Sequence, residues 1–372
     1  MTGLPSEVEV AVIGAGAAGI AAARRLSEAG TSVVVLEARE RAGGRAWTAQ
    51  AEGLPLDLGC EWLHSADRNV LVPLAERAGF ELYRKAPDWT TRLRRSGESA
   101  EAEADWLRER DAHYWAVHRA AAAAEDRPAS AVLTPGGRWN ALLDAVSTWA
   151  NAVELECLSV KDNDRYQDTG LNWRVRDGYG RLVAALAEGL PVAFGAAVRR
   201  VDHRGRALRL ETGQGAVAAR RVIVAVPTAI IAEERLAFDP PLPDKIAAAA
   251  GLPLGLADKL FLAFDGSLPG IDSDAHLVGS TRRRETMSYQ VRPFGRPLIQ
   301  CFFGGRFAAA LEGEGMPAMA AWAADELAAL FGGDIRRRLR PLAASFWRRD
   351  EFALGSYSYA RPGHADARAG LA

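Results

Sequence analysis

A glycine-rich turn directly after an apolar strand is the feature that most constrains the fold of this chain. Val8–Ile13 is a continuous apolar run, which is typical of a strand buried on both faces of a parallel sheet. The segment Gly14–Gly19 follows with the pattern G-x-G-x-x-G, a helix is predicted over Ala17–Ala29, and Ser32–Leu36 is a second β-branched run. This order of strand, glycine turn, helix and strand predicts a βαβ unit that binds a dinucleotide.

The three glycines of this motif and one acidic residue have separate predicted roles. Gly14 permits the tight turn, Gly16 leaves bare backbone against a pyrophosphate, and Gly19 lets the helix and strand approach closely. The phosphates then lie at the helix N-terminus, where unpaired N–H groups and the helix dipole favour negative charge. Glu37 ends the second strand, about eighteen residues after Gly19, where its carboxylate can accept hydrogen bonds from ribose hydroxyls.

Overall charge and cysteine content exclude several classes of function. The 372 residues contain 46 Lys and Arg against 47 Asp and Glu, a formal net charge of −1, so no long-range field attracts nucleic acid or an anionic membrane. Cys60, Cys157 and Cys301 are too few and too scattered for a disulfide framework or a thiolate metal site, which indicates a reducing compartment. We expect no targeting segment, no membrane span and a cytoplasmic location.

The residues that follow Glu37 have a more specific resemblance. Arg39, Gly43, Gly44 and Arg45 continue the site instead of starting another helix. This run resembles the flavin-containing amine oxidase family, which includes monoamine oxidases, polyamine oxidases and lysine-specific histone demethylases. The resemblance implies that the dinucleotide is FAD and that Arg39 and Arg45 meet its adenosine and pyrophosphate side, a role that suits the geometry of a guanidinium group.

The resemblance extends in order along most of the chain. Gly59, Cys60, Glu61 and Trp62 lie in a stretch similar to the family's Leu-Gly-x-x-Trp segment, which runs beside the isoalloxazine ring. Val198 falls where the backbone of family members contacts adenine. The resemblance therefore implies that these residues hold the cofactor.

With the resemblance, the order of elements predicts an α/β fold made of two discontinuous domains. A Rossmann-like FAD-binding domain of the glutathione reductase type is expected over residues 1–80 and 178–236. An α+β substrate-binding domain is expected over residues 81–177 and 237–360. Residues 361–372 are expected to form a tail.

Lys259 stands at the head of an apolar strand, 259–264. Lysines are mostly exposed, so one inside such a run either extends its ammonium to water or is held there for a function. Members of the family hold a lysine at this position that bonds a water at flavin N5, and the resemblance implies that role for Lys259. Burial would lower the pKa of the ammonium and favour proton and peroxide handling over ion pairing.

Three further residues are similar to family positions near the flavin and the substrate. Trp347 and Gly355-Ser356-Tyr357 resemble the family's Trp and Gly-Ser-Tyr, which implies that Tyr357 is one wall of an aromatic cage that orients the amine. Ser356 stands where monoamine oxidases have a flavin-linked cysteine, so the FAD is expected to be non-covalent. His64 stands where polyamine-type members often have a substrate-facing polar residue, although a single His is more often structural.

The reaction that the resemblance implies is an oxidation of the C–N bond of an amine. Hydride passes from the carbon next to a neutral amine to flavin N5, water hydrolyses the imine, and O2 reoxidises the flavin with release of H2O2. Monoamines, polyamines, amino acids and peptidyl lysine all stay open as the substrate. An NAD-linked dehydrogenase is the rival enzyme class, but it leaves Gly43-Gly44-Arg45 unexplained.

The C-terminal residues differ from the family's pattern. Family members normally close with a further strand, an Ala-Gly-Glu whose acid binds FAD, a second cage tyrosine and a helix aimed at the flavin. The residues after Tyr359 contain none of these. Three explanations are open. The sequence is a fragment of a longer protein, a partner chain or a second copy supplies the segment, or the chain is a family member that no longer catalyses the reaction. We prefer the first explanation. A nucleotide-binding subunit that needs a partner chain is accordingly the alternative to an oxidase.

Overall fold

A computed structural model describes residues 4–372. Its strands are β1 Glu7–Ile13, β2 Val33–Leu36, β3 Thr48–Ala51, β4 Leu54–Asp57, β5 Trp62–Leu63, β6 Leu82–Tyr83, β7 Trp173–Val175, β8 Val192–Ala193, β9 Val198–Asp202, β10 Leu208–Thr212, β11 Gly215–Val224, β12 Ala237–Asp239, β13 Ala257–Phe264, β14 Ala275–Val278, β15 Ser288–Val291, β16 Leu298–Gly304 and β17 Leu339–Ala344. Its α-helices are α1 Ala17–Glu28, α2 Leu71–Arg77, α3 Arg92–Arg95, α4 Ala100–Ala121, α5 Asn140–Asn151, α6 Val160–Arg165, α7 Tyr179–Ala185, α8 Thr228–Ala232, α9 Pro243–Ala250, α10 Gly305–Glu314, α11 Met316–Phe331 and α12 Ala367–Leu371. Among the described residues, no helix combines the length and apolar character that crossing a membrane requires.

A seven-stranded sheet contains the predicted βαβ unit, with the strand order β12-β9-β10-β11-β1-β2-β8. β1 is parallel to both of its neighbours, and Val12 lies opposite Val35 of β2 and Ile223 of β11. Val12 packs under Ile20 of α1, whereas Ala11 belongs to the core on the other face. Because both faces are covered, these strands are apolar throughout. The carboxyl ends of β1 and β2 meet the N-terminus of α1, which is where open parallel sheets bind ligands.

A five-stranded sheet with the order β14-β15-β16-β13-β17 forms the second body. Successive side chains of a strand point to opposite faces. Leu260, Leu277 and Cys301 point to one face and pack with α10 and α11 in the largest apolar cluster. His276 and Gln290 point to the other face, where they line a cavity. The sheet therefore has one apolar face and one partly polar face.

Helices α3, α4 and α5 share an apolar core next to β14. Ser99 begins α4, because its side chain accepts a hydrogen bond from the backbone N–H of Ala102 at 3.1 Å. Trp106 of α4 and Trp139 pack edge to face with ring centroids 5.8 Å apart. This packing holds the first residue of α3 and the end of α5 against the cavity.

Residues 361–372, predicted as a tail, pack against the rest of the chain. α12 contacts α9, Arg165 donates a hydrogen bond to the carbonyl oxygen of Ala365 at 2.7 Å, and Arg368 forms an ion pair with Asp162. The segment is therefore packed onto the fold, and its assignment as a tail outside the two domains stays a prediction. β12 belongs to the seven-stranded sheet although it begins one residue beyond the boundary predicted at 236, and the remaining domain boundaries stay a prediction.

Candidate active site

One cavity of about 2070 Å³ extends from the carboxyl edge of the seven-stranded sheet to the polar face of the five-stranded sheet. Pockets for drug-sized ligands measure roughly 300–1,000 Å³, so this cavity has room for a dinucleotide and a small substrate together. Gly19 lies outside its wall, under the glycine turn. All the other predicted site residues line it, namely Gly14, Gly16, Glu37, Arg39, Gly43, Gly44, Arg45, Gly59, Cys60, Glu61, Trp62, His64, Val198, Lys259, Trp347 and Tyr357.

The glycine turn at the start of α1 is shaped by close contacts. Gly14 has a φ of +102°, and a Cβ there would lie 2.7 Å from the carbonyl oxygen of Ala225. A Cβ at Gly19 would lie only 1.9 Å from the carbonyl oxygen of Gly14. At Gly16, by contrast, a Cβ would meet no atom within 4 Å. The bare backbone of Gly16 therefore faces open cavity at a helix N-terminus whose first turn holds no acidic side chain.

The Gly43-Gly44 pair brings the chain back onto this turn. The backbone N–H of Gly43 donates to the carbonyl oxygen of Ala15 at 2.8 Å, and Gly43 has a φ of +104°. A Cβ at Gly44 would lie 3.3 Å from the Cα of Gly16. Two backbones thus approach closely here, and the absence of side chains keeps the space above Gly16 open.

Glu37 lies beside the turn and is 3% exposed. Its carboxylate accepts hydrogen bonds from the backbone N–H of Ala15 at 2.7 Å and from that of Arg39 at 2.9 Å. A carboxylate has about four acceptor sites, so capacity for ribose hydroxyls is left. The N–H of Ala196 donates to the carbonyl oxygen of Glu37 at 2.8 Å, which places Val198 at the start of β9 next to the acid.

The two predicted arginines are anchored by different partners. Arg39 donates to Asp350 at 2.5 Å and lies over the ring of Phe352. Arg45 donates to the carbonyl oxygen of Ser356, and burial lowers its pKa. Arg45 therefore connects the glycine-rich segment to the residue that precedes Tyr357.

The segment from Leu58 to Cys60 runs between Arg45 and Trp347. A Cβ at Gly59 would lie 1.8 Å from the carbonyl oxygen of Arg45 and 3.0 Å from the ring of Trp347. The indole N–H of Trp347 donates to the carbonyl oxygen of Leu58 at 3.1 Å. Burial raises the pKa of the Cys60 thiol, so this side chain faces the cavity as a neutral group.

Lys259 forms a buried ion pair, with a side chain that is 6% exposed. Its Nζ donates to a carboxylate oxygen of Glu61 at 2.8 Å and to the carbonyl oxygen of Asp57 at 2.9 Å. The sequence predicted that Lys259 handles protons and is not ion-paired. The second part of this prediction was wrong, because the carboxylate of Glu61 lies within bonding distance of the ammonium. Such a pair tolerates burial where an isolated ammonium does not. The role in proton handling stays a prediction.

Glu61 is the centre of a buried charge network. It accepts a hydrogen bond from Gln300 at 2.6 Å and lies 3.4 Å from the guanidinium of Arg174, which in turn bonds Asp274 at 2.6 Å. Burial opposes ionisation of Glu61, but the charges of Lys259 and Arg174 outweigh it and lower its pKa to about 2. The carboxylate is thus ionised, and two cations already compensate it.

Tyr357 and His64 occupy different parts of the wall. Tyr357 donates to the carbonyl oxygen of Trp149 at 3.3 Å. It keeps 38% of its surface accessible to the cavity, whose walls desolvate the phenol and raise its pKa, so the phenol is neutral. His64 is half exposed, with its Nδ1 2.9 Å from the amide oxygen of Asn172 and 3.4 Å from Asp168. The structure therefore places Tyr357 inside the cavity and His64 where the cavity wall reaches solvent.

Sequence reasoning missed a row of polar side chains on the five-stranded sheet. His276, Gln290 and Gln300 lie opposite one another on β14, β15 and β16, and all line the cavity. Burial and the charge of Arg174 lower the pKa of His276 to about 3, so its imidazole is neutral. The sequence does contain a signal for part of this row. Ser288–Val291 alternates polar and apolar residues, which is typical of a strand with one polar face and predicts that Ser288 and Gln290 share that face.

An aromatic wall was also missed. Trp89 packs edge to face on Trp62 with centroids 5.4 Å apart, and both approach His276. Arg92 lies over the ring of Trp149 at 5.5 Å. No spacing in the sequence indicates this group, because its members come from four separate segments of the fold.

The residues at the glycine end fit FAD. The bare backbone of Gly16 offers a concave surface for a pyrophosphate, and the N-terminus of α1 favours its charge. Glu37 keeps acceptor sites for a ribose, and Val198 lies beside it. Trp347 and Lys259 lie farther along the same cavity, so a long cofactor lying on these residues would reach the polar face of the five-stranded sheet.

Comparisons with known proteins agree with this geometry. The family described as flavin containing amine oxidoreductase matches residues 17–144 and 88–371. The chain is 28% identical to polyamine oxidase 3 of Oryza sativa subsp. japonica, over 94% of this chain and 78% of that protein. It is 26% identical to lysine-specific histone demethylase 2 of Homo sapiens, over 74% of this chain and 37% of that protein.

Two solved structures have a similar fold. Cyclohexylamine oxidase from Brevibacterium oxydans IH-35A has a TM-score of 0.78 at 19% identity, and the match covers 99% of this chain and 91% of that one. Wild-type putrescine oxidase bound to putrescine has a TM-score of 0.77 at 21% identity, with 97% and 90% covered.

Because the family match spans most of the sequence, the chain belongs to the flavin-containing amine oxidoreductase family. It is an FAD-dependent oxidoreductase that acts on amines, built from a Rossmann-like FAD domain and a substrate domain. The predicted family, fold class, enzyme class and cofactor are confirmed. The roles of the individual side chains stay predictions.

Proposed function

We propose that the chain oxidises the C–N bond of an amine held between Lys259 and Tyr357, with O2 as the electron acceptor and H2O2 as a product. The observation that supports this most directly is the single cavity that connects the glycine turn with these two side chains. When bound, FAD supplies the hydride acceptor and passes electrons to oxygen. The chain itself supplies position, charge and exclusion of water.

The glycine end of the cavity would hold the cofactor. In this proposal the backbone at Gly16 receives the pyrophosphate, Glu37 accepts hydrogen bonds from the ribose and Val198 contacts the adenine. Ser356 hydrogen-bonds both the N–H and the carbonyl oxygen of Ala257 at 2.8 Å, which occupies the hydroxyl and supports a non-covalent cofactor.

The substrate must lose its proton before it can give up hydride. Glu61 is already compensated by Lys259 and Arg174, so among the described residues no free carboxylate on this sheet face stabilises the ammonium form of the amine, and burial itself disfavours that charged form. The aromatic surfaces of Tyr357, Trp149 and Phe302 line the same space and exclude water from the alkyl part of the substrate. The neutral amine is thus the favoured form in this proposal.

Lys259 has a further role in the proposal. An ammonium has three N–H donors, and Glu61 and Asp57 use two of them. The third would hold a water in the cavity and deliver a proton as peroxide forms. This role is compatible with the ion pair, since the pair keeps the ammonium charged and fixed in place.

Spectra and kinetics of the purified protein test the proposal. Flavin absorbance should be present, should bleach when an amine is added without oxygen, and should return with peroxide release when oxygen is admitted. Lys259→Met should slow the return on the order of 100-fold with FAD content nearly unchanged, whereas Lys245→Met, at a lysine of α9 outside the cavity lining, should have no effect. Absence of bleaching with every amine would leave a nucleotide-binding subunit, and loss of flavin from Lys259→Met would make Lys259 structural.

A further inference from the structure

Arg92 is a cation that faces the cavity without a counter-ion. It begins α3 and is held over the rings of Trp149 at 5.5 Å and Trp106 at 6.0 Å. Within residues 4–372, no carboxylate lies within 4.0 Å of its guanidinium and its nitrogens donate no hydrogen bond. The aromatic rings therefore fix its position but leave its charge and its N–H groups unmatched.

The electrostatic surroundings of Arg92 point to a missing anion. Burial lowers its pKa to about 10, with a smaller contribution from the nearby Arg110 and an opposing one from Tyr114, so the group is still charged near neutral pH. No carboxylate is among the charges that act on it. Removing a charge from water without a compensating partner is costly, and a site that keeps such a group is arranged for a partner that arrives from outside.

Other donors in this part of the cavity also lack acceptors. The indole N–H of Trp149 and the amide NH2 of Gln290 are buried without a hydrogen-bond partner, and both groups can only donate. Glu61, the acidic side chain on the same sheet face, is already compensated by Lys259 and Arg174. On this sheet face a second ammonium of the substrate would therefore meet no uncompensated carboxylate of the described residues, whereas an acceptor-rich anion would find several donors; the aspartates of the cavity wall, such as Asp111 and Asp168, come from other elements.

We propose that Arg92 binds a carboxylate of the substrate, so that the amine oxidised by this chain is an aminocarboxylate. The inference rests on the proposed function, because it places the reacting amine at Tyr357. Tyr357 bonds the backbone of Trp149, and Arg92 lies on the ring of that same tryptophan, so the two ends of a small substrate would lie on either side of Trp149. A guanidinium suits this task because its N–H groups can bond both oxygens of a carboxylate.

Matched substrates test the inference with the FAD-loaded protein. Norleucine and pentylamine differ only in a carboxylate, and 4-aminobutanoate and putrescine differ in a carboxylate against a second ammonium. We expect at least one aminocarboxylate to have a kcat/KM about tenfold or more above its partner. Arg92→Gln should lower that value about 10- to 100-fold and change the value for pentylamine by less than about twofold.

Two further variants and a binding measurement complete the test. Arg92→Lys keeps the charge without the planar fork and should restore part of the loss. Arg110→Gln removes another arginine of the cavity wall, one that Asp111 already pairs, and should leave the preference unchanged. Calorimetry with hexanoate, which has no amine to oxidise, should show binding that Arg92→Gln abolishes.

The outcomes separate this inference from the proposed function. If no amine is oxidised but hexanoate binding depends on Arg92, the oxidase proposal fails and the carboxylate site stands. Two results would overturn the inference while amines are still oxidised. One is a preference for putrescine and pentylamine over the aminocarboxylates, and the other is an Arg92→Gln variant that slows all substrates equally.

Discussion

Replacement of Lys259 by Met should lower the free energy of unfolding by about 2–3 kcal/mol. The variant keeps a side chain of similar length but removes the ammonium that bonds Glu61 at 2.8 Å. Glu61 would then be buried with only Gln300 at 2.6 Å and the more distant Arg174 at 3.4 Å. The loss comes from the carboxylate that is left behind, since methionine itself suits an apolar strand.

The magnitude follows from the electrostatics of Glu61. A pKa lowered from 4.5 to about 2 corresponds to about 3 kcal/mol of stabilisation of the ionised form in the folded state. Lys259 is the nearer of the two cations responsible, so its removal takes most of this amount. Because the pKa is lowered on folding, this stability is present above about pH 4.5 and is lost as the pH falls towards 2.

Thermal unfolding of the FAD-loaded protein measures the effect. Lys259→Met should lower the midpoint by roughly 3–4 °C and move acid unfolding to higher pH. Glu61→Gln and the double variant complete a cycle, in which the coupling energy should be about 2 kcal/mol. A change below about 0.5 kcal/mol for Lys259→Met, or a coupling near zero, would mean that the pair is screened by water and would refute the reasoning.

Three further predictions follow from contacts in the fold. Gly16→Ala should fold normally, since its Cβ meets open space, but it should bind FAD at least about tenfold more weakly in a titration. Gly19→Ala should instead be destabilised by about 2–3 kcal/mol, because its Cβ would lie 1.9 Å from the Gly14 carbonyl oxygen. Equal effects of the two changes on folding would contradict this prediction. Glu37→Ala should weaken FAD retention on dialysis, and unchanged retention would remove Glu37 from the ribose site. Burial and the neighbouring Glu312 raise the pKa of Asp258 well above its usual value, so its neutral form contributes stability at low pH that is lost as the pH rises through the raised pKa. Asp258→Asn should flatten this dependence in thermal unfolding measured upward from acid pH, and an unaltered pH profile would show that Asp258 is not the group responsible.

The glycine turn and the ribose acid could be predicted from the sequence because each is a local device. A tight turn, a bare backbone next to the pyrophosphate and a close approach of helix to strand each require glycine, at a fixed spacing. Gly14, Gly16 and Gly19 can therefore be recognised from the sequence alone. The same holds for the apolar strands on either side of the turn. Their burial on both faces leaves a continuous apolar run that no other element of this length explains.

The charge network could not be predicted because its members are far apart in sequence. Lys259 and Glu61 are 198 residues apart, and a lysine in an apolar strand does not reveal which carboxylate compensates it. The lining of the substrate end has the same character, since Arg92, Trp149 and Gln290 come from two helices and a strand. Alternation in β15 could have marked Gln290, but only the packing shows what it faces.

The alternation of side chains on the five-stranded sheet has a consequence for how this protein can change. On β15 and β16, substitutions at Ser288, Gln290 or Gln300 alter the lining of the cavity and leave the opposite face untouched, where Tyr289 and Cys301 secure the helices behind the sheet. A new specificity is therefore accessible without any change to the apolar core behind the sheet. Ser288 offers the simplest step, because Gln300 also bonds Glu61 at 2.6 Å and Gln290 accepts from Arg174 at 3.1 Å.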